Sequence, residues 1–432
     1  MRGGFPDPSF FSLPGMEQAR SAMRGLVLPF PIHHLVGHRL TQVGSGTATG
    51  TMAASPWLQT IDGTVEFRIL MEAALYFAVL TGAPPSSEVQ ASALAINHMR
   101  PCTVESETLV ARARTLNSGP TFTLAEVLVE DAQGRGVAHG TATYVIRPIQ
   151  PPPPPHAGSD VAVERPVYPT PNPWERPLSW SPRDVMFDEI SVLEIFQRVI
   201  AGELPYVPLQ QLLGMRIIDV GEGSLALALE ASDWLAHQAR QVAPGVIASL
   251  AWHASAGAAV TLAPTGHRLA VLDQTVSFLG PVATDGREVL ARGRVTHRRG
   301  EFLLSTVEVT DADGNVVAVG HQTSLHRPRR RRGPVGVEPE RVLVTVLFTD
   351  IVGSTERAQE MGDAHWNALL EEHRGIVRKQ LQVFKGREVK TTGDGFLATF
   401  DSPGRGVQCA RDFGGNLVLQ VKQVGHRAID PC

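Results

Sequence analysis

Lysine is almost missing from this chain. Its four lysines, Lys379, Lys385, Lys390 and Lys422, all lie beyond residue 378, and arginine carries the positive charge elsewhere. Coding bias explains that pattern, though it makes Lys390, beside a candidate site, a weaker candidate for filler. Cysteine is nearly as scarce. Cys102, Cys409 and Cys432 have neither metal-ligand nor disulfide spacing, which fits a reducing compartment and predicts a cytoplasmic protein. Charge is sparse at 19% of residues, and the net charge of −4 gives no electrostatic case for a nucleic-acid partner. The opening "MRGGFPDPSFFSLPG" lacks the charged start and apolar run of a signal peptide. The most apolar run, "GVIASLAWHASAGAAVTLAP", is interrupted by Ser249, Trp252, His253 and Ser255, so it reads as a buried helix and not a membrane span.

What is present is enough apolar residue, 43%, for ordinary cores, in a length that suggests two to four domains. Two segments divide the chain. The proline-rich "RPIQPPPPPHAGSDVAVERPVYPTPNPWERP" predicts an extended linker over 148–194. The basic "HRPRRRRGPVGVEPE" predicts a second linker over 327–340, either a solvated tether or a contact for an acidic partner. The expected blocks are therefore 20–147, 195–326 and 341–413, followed by a divergent tail, 414–432.

The first two blocks repeat each other. "HHLVGHRLTQVGSGTATGTMAASPWL" lies over "QQLLGMRIIDVGEGSLALALEASDWL", aligning Gly37 with Gly214, Arg39 with Arg216, Gly44 with Gly221 and Trp57 with Trp234. Further on, Pro101, Arg112, Asp131, Gly134 and Gly140 align with Pro281, Arg292, Asp311, Gly314 and Gly320. Each repeat predicts a strand, a mostly apolar helix of about five turns, and three alternating strands whose last turn lies at "DAQGRG" or "DADGNV". A helix apolar on nearly every face must be enclosed, and a curved antiparallel sheet would enclose it.

"PGVIASLAWHASAGAAV", "LDQTVSFLGPV", "LARGRVTHRRGEF" and "VEVTDADGNVVAVG" resemble the hotdog-fold acyl-CoA thioesterases of the phenylacetate-pathway type. The resemblance implies two hotdog domains in one chain, each standing for one subunit of a dimer, with acyl-CoA as partner and no cofactor. It also implies a helix start whose N–H groups polarise the thioester carbonyl, and a carboxylate a turn or two into the helix as base or nucleophile. In the first repeat the turn falls on Asp62, Gly63 and Thr64 and the carboxylate on Glu72, one residue from the ungapped position. In the second, Gly245 closes the turn and the carboxylate position holds Trp252, which cannot act as that base. The neighbouring His253 is either a core histidine or a substitute. The structural alternative for Glu72 is an ion pair with Arg68, four residues earlier on the same face, with Glu66 on a different face.

The third block opens with a β-branched strand, "RVLVTVLFTDIVGST", continues into an amphipathic stretch with Trp366, Leu369, Leu370, Ile376 and Val377, and reaches "REVKTTGDGFLATF", a hairpin turning at Gly393–Gly395. It resembles the class III adenylate and guanylate cyclases, implying the first half of a ferredoxin-like domain and an α+β class for the whole chain. By that resemblance Asp350, Asp394 and the carbonyl of Ile351 hold Mg²⁺ or Mn²⁺, and Gly353, Ser354 and Thr355 cradle the triphosphate. Lys390 falls where the family selects adenine, and the reaction would be attack of the ATP ribose 3′-OH on the α-phosphorus. Without the resemblance, Asp350 and Asp394 are two turn aspartates. The family's later Asn/Arg pair has no counterpart in "GGNLVLQVKQVGHRAIDPC". The expectation is no cyclisation by this chain alone; the alternative is a segment that lends its two aspartates to a cyclase partner, while the hotdog pair can pair with itself as a homo-oligomer. Three functions follow: a thioesterase centred on Glu72, a non-catalytic acyl-CoA sensor serving cyclic-nucleotide signalling, or a cyclase subunit.

Overall fold

The computed structural model describes residues 3–119, 122–156, 163–164, 190–328, 345–349, 354, 361–392, 395–400, 403–412 and 419–420. They fall into two units, divided between Arg330 and Arg331.

In the first unit, β1 (Phe5–Pro6) pairs with β8 (Val163–Glu164). All the other strands form one antiparallel sheet. The first repeat supplies β2 (Arg39–Gly44), β3 (Thr47–Ala53), β4 (Ser87–His98), β5 (Thr108–Ser118), β6 (Thr123–Glu130) and β7 (Gly136–Pro148). The second supplies β9 (Met215–Gly221), β10 (Ser224–Glu230), β11 (His267–Phe278), β12 (Glu288–Arg299), β13 (Phe302–Thr310) and β14 (Val316–Pro328). Their order is β2-β3-β5-β6-β7-β4-β11-β14-β13-β12-β10-β9, so the two halves repeat one strand order in mirror sequence from the centre. The halves join where β4 pairs with β11, with Leu94 opposite Val276.

The duplication extends to backbone irregularities. The register of β4 on β7 slips between Ala91 and Ala93, and that of β11 on β14 between Val271 and Asp273. A second slip occurs between Thr115 and Asn117 and between Val295 and His297. Such bulges bend the strands, as a sheet wrapping a helix requires. The aligned Gly37 and Gly214 each end a short helix, α2 (Pro31–Val36) or α5 (Pro208–Leu213), with φ of 73° and 78°. A side chain there would be strained, which explains the shared glycine.

The sheet wraps two central helices, α3 (Arg68–Leu80) and α6 (Pro244–Val260). All 13 residues of α3 are buried. Each enclosed leucine or isoleucine contributes about 1.5–3 kcal/mol, which is how a helix without a polar face is stabilised. At 13 residues, α3 is shorter than the expected five turns. It starts at Arg68 because the Glu66 carboxylate turns back and accepts the Arg68 N–H at 2.6 Å. The helices α1 (Gly15–Met23) and α4 (Val192–Ile200) precede the two repeats, and both pack onto the same core.

The second unit carries a four-stranded antiparallel sheet, ordered β16 (Arg387–Thr392), β17 (Gly395–Phe400), β15 (Thr345–Thr349) and β18 (Leu419–Gln420). Helices α7 (Asp363–Val383) and α8 (Pro403–Asp412) bury Val377, Leu381 and Cys409 with Leu347, Phe396 and Phe400 of the sheet. Both units are α+β.

Candidate active site

Glu72 lies in the second turn of α3 and is 2% exposed. The Tyr144 hydroxyl, from β7, donates to its Oε1 at 3.3 Å. Gly245, at the start of α6 in the other half, packs against the same residue. Gly245 suits that place because an added Cβ would lie 2.8 Å from the Ile69 Cα and 3.2 Å from the Glu72 Cβ. The glycine therefore lets the start of one central helix rest against the other. The Glu72 Oε2 has no hydrogen-bond partner among the described residues. Burial pushes the Glu72 carboxyl up to about 7, and the Tyr144 bond and the Gly245 backbone hold back part of that rise. A carboxyl so poised exchanges a proton near neutrality, as a general base must.

Glu72 lines a cavity of about 340 Å³. Tyr76, Glu88, Gln90 and Arg147 come from the first half, and His237, Gln238, Gln241 and Pro244 from the second. The Tyr76 hydroxyl donates to Gln238 Oε1 at 2.6 Å, tying α3 to the loop before α6. Sequence reasoning missed Tyr144, Tyr76 and Gln238. Tyrosine occurs four times in the chain, and its hydroxyl needs a partner when buried, which is the signal the two tyrosines offered.

Asp62, Gly63 and Thr64 do not line this cavity. They form a tight turn in which Asp62 Oδ1 accepts from the Thr64 N–H at 3.1 Å and from the Thr64 hydroxyl at 2.7 Å. Asp62 instead lines a separate cavity of about 60 Å³ with Trp252 and His253. The two sites are thus crossed between halves: Glu72 faces the α6 start, and Trp252 shares a wall with the turn before α3.

The ion pair expected as an alternative for Glu72 is corrected. Arg68 binds Glu66 at 3.2 Å, with both side chains buried, and not Glu72. Its Nε donates to Gln274 Oε1 at 2.9 Å, and its guanidinium lies 4.2 Å from the Trp252 ring centre. Glu66 also accepts from the Ser249 hydroxyl at 2.8 Å. Both buried charges are thus paired and hydrogen-bonded, as burial of an ion pair requires.

In the second unit, Lys390 sits in β16 opposite Leu397 of β17, beside a register slip. Ser354 is half-buried in a helical position. Asp350, Ile351, Gly353, Thr355 and Asp394 lie outside the described residues. In the described strands, Thr349 of β15 pairs with Phe396 of β17. Among the described residues no group of three or more His, Cys, Asp and Glu is arranged to hold a metal, and no helix is long and apolar enough to cross a membrane.

Residues 242–318 match the family model of the thioesterase superfamily, and residues 338–428 that of the adenylate and guanylate cyclase catalytic domain. The chain joins a thioesterase-like hotdog region to a nucleotide-cyclase segment. Among proteins it resembles, it is 38% identical over 73 residues to an adenylate cyclase of Lachancea kluyveri and 33% identical over 136 residues to one of Podospora anserina. These matches take in 17% and 29% of this chain, which spans 4% and 6% of the two relatives' length. Similar solved structures include the tesB protein of Mycobacterium avium subspecies paratuberculosis, 14% identical with a TM-score of 0.45, covering 69% of this chain and 100% of that one. Another is the acyl-CoA thioesterase II TesB2 of Mycobacterium marinum, 14% identical with a TM-score of 0.41, covering 71% and 100%.

Proposed function

We propose that the hotdog region hydrolyses acyl-CoA thioesters at one site, with Glu72 as general base and the start of α6 as the carbonyl-polarising group. The observation that carries this reading is the buried Glu72 carboxyl at the wall of a 340 Å³ cavity to which Pro244, the start of α6, also contributes. On binding, the thioester carbonyl accepts from the Gly245 N–H, where the helix start stabilises the developing oxyanion. Glu72 accepts a proton from water as the water oxygen bonds to the carbonyl carbon. The C–S bond then breaks, the proton passes to the thiolate, and a carboxylic acid and free CoA leave. Arg147, exposed and lining the cavity, supplies a cation for the CoA phosphates.

The test is thiol release from a panel of acyl-CoAs, measured together with binding heat. Release by the wild type that is lost in Glu72→Gln supports the reading. Binding without release replaces it with the acyl-CoA sensor, and neither replaces it with a fold-only likeness.

A second reading concerns the cyclase segment and is favoured by the family match over 338–428. We infer that Asp350, Asp394 and the Ile351 carbonyl serve Mg²⁺ or Mn²⁺, with Gly353, Ser354, Thr355 and Lys390 toward ATP. Mn²⁺-dependent ATP binding that disappears in Asp394→Ala supports it, and binding that persists in that variant rules it out.

A further inference from the structure

Two cavities of the first unit meet at one side chain. Tyr76 lines the 340 Å³ cavity that holds Glu72, and it also lines a second cavity of about 250 Å³. The second cavity is walled mainly by apolar residues, among them Phe10, Val27, Leu28, Phe30, Leu40 and Leu80. No carboxylate lines it, and its one cationic residue, Arg39, is exposed. Burial holds His33 and His38 of its wall below the usual imidazole range, so both are neutral near pH 7. Apolar cavities stay dry and take apolar guests.

The Tyr76 ring stands between the two spaces. It meets the ring of His237, a residue of the first cavity, with centroids 4.4 Å apart. It meets the ring of Phe77, a residue of the second, at 5.3 Å. Its hydroxyl holds it in place through Gln238, on the wall of the first cavity.

Helix α3 sets the order along the wall. Glu72, Tyr76 and Leu80 are spaced by four residues and share one helical face. At 1.5 Å per residue, Tyr76 lies about 6 Å beyond Glu72 and Leu80 about 12 Å. Glu72 lines the first cavity alone, Leu80 the second alone, and Tyr76 both. Elsewhere the first cavity is lined by Glu88, Gln90 and Arg147, polar surroundings that an alkyl chain does not favour.

We propose that Tyr76 sets the length of acyl chain this site accepts, closing it to all but short chains. About 6 Å from Glu72 leaves room for roughly four carbon–carbon bonds of about 1.5 Å before the ring is reached. The apolar cavity behind the ring is space that a longer chain enters only when the ring is removed. The inference rests on acyl-CoA hydrolysis at Glu72 and adds the residue that determines its specificity.

The experiment measures kcat/KM for thiol release from butanoyl-CoA and decanoyl-CoA, with binding heat recorded for both. Wild type should favour butanoyl-CoA by at least about tenfold, the worth of a few methylenes that a pocket cannot hold. Tyr76→Ala should raise the decanoyl-to-butanoyl ratio by at least about tenfold. Ala22 lines the second cavity away from Glu72, so adding Ala22→Leu to Tyr76→Ala should take back that gain. A tyrosine that serves only to pack the core would leave the ratio indifferent to Ala22. The proposal is overturned if wild type uses both substrates equally, if Tyr76→Ala leaves the ratio unchanged, or if Ala22→Leu does not reverse the gain. Where Tyr76→Ala does not fold, Tyr76→Leu carries the same comparison. Absence of thiol release from every acyl-CoA defeats the hydrolytic reading instead. The binding heats then decide on Tyr76 by the same ratios, and absence of binding as well overturns its role too.

Discussion

Glu72 and Gly245 meet across the junction of the two repeats, one residue from each central helix, so close that a Cβ on Gly245 would lie 3.2 Å from the Glu72 Cβ. Neither repeat alone holds both. A carboxyl pushed up to about 7 gives the pH profile of the proposed hydrolysis. Turnover should rise with pH as Glu72 ionises and level off above about 7. Glu72→Gln should lower it by roughly 10²–10⁴-fold. Thiol release measured from pH 5 to 9 checks both.

The same residue weakens the fold. Glu72 ionises near 7 in the folded chain, against an ordinary value of 4.5. The native state therefore binds more protons than the unfolded state in that window, and stability falls as pH rises through it. Glu72→Gln removes the effect. It should stabilise the chain by up to about 3 kcal/mol at pH 8 and by much less at pH 5, read from urea midpoints at the two pH values.

Gly245→Ala places a methyl group 2.8 Å from the Ile69 Cα, a backbone atom that cannot swing aside. The helices must separate, at about 1–3 kcal/mol. Turnover should fall as well, because the N–H moves away from Glu72. Thermal unfolding and thiol release on the same sample test the two effects.

His33, His38 and His237 form a buried group, with His33 ring centroids 4.7 Å from His38 and 5.2 Å from His237. Burial brings His38 down to about 4 and His237 to about 3, and holds His33 well below 6.5. Here the sign is opposite to that of Glu72. The stability is present above 6.5 and is lost as pH falls below it, because the unfolded histidines take up protons first. Between pH 6.5 and 5 His38 and His237 should each cost the fold about 1.5 kcal/mol, with His33 acting in the same direction. The urea midpoint should drop over that range, and less steeply in His237→Phe.

The duplication was legible because glycine and tryptophan are retained for local reasons. Gly37 and Gly214 must take positive φ wherever the rest of the chain goes. The enclosed helices were legible from composition, since no polar face was available to meet solvent. The crossing of the sites was not. Sequence spacing puts Asp62–Thr64 close to Glu72, whereas the junction sets Glu72 against the start of α6. Spacing also suggested Arg68 with Glu72, a helical i to i+4 pair. Glu66 lies before the helix and reaches Arg68 from its open end, where helical periodicity does not apply.

The pairing of β4 with β11 within a single chain has an evolutionary consequence. In a dimer of identical subunits, any substitution appears twice, so a tryptophan in one catalytic position erases the carboxylate in both. A tandem gene removes that constraint. Trp252 could arise while Glu72 stayed, and the two clefts of this chain have since been able to vary independently.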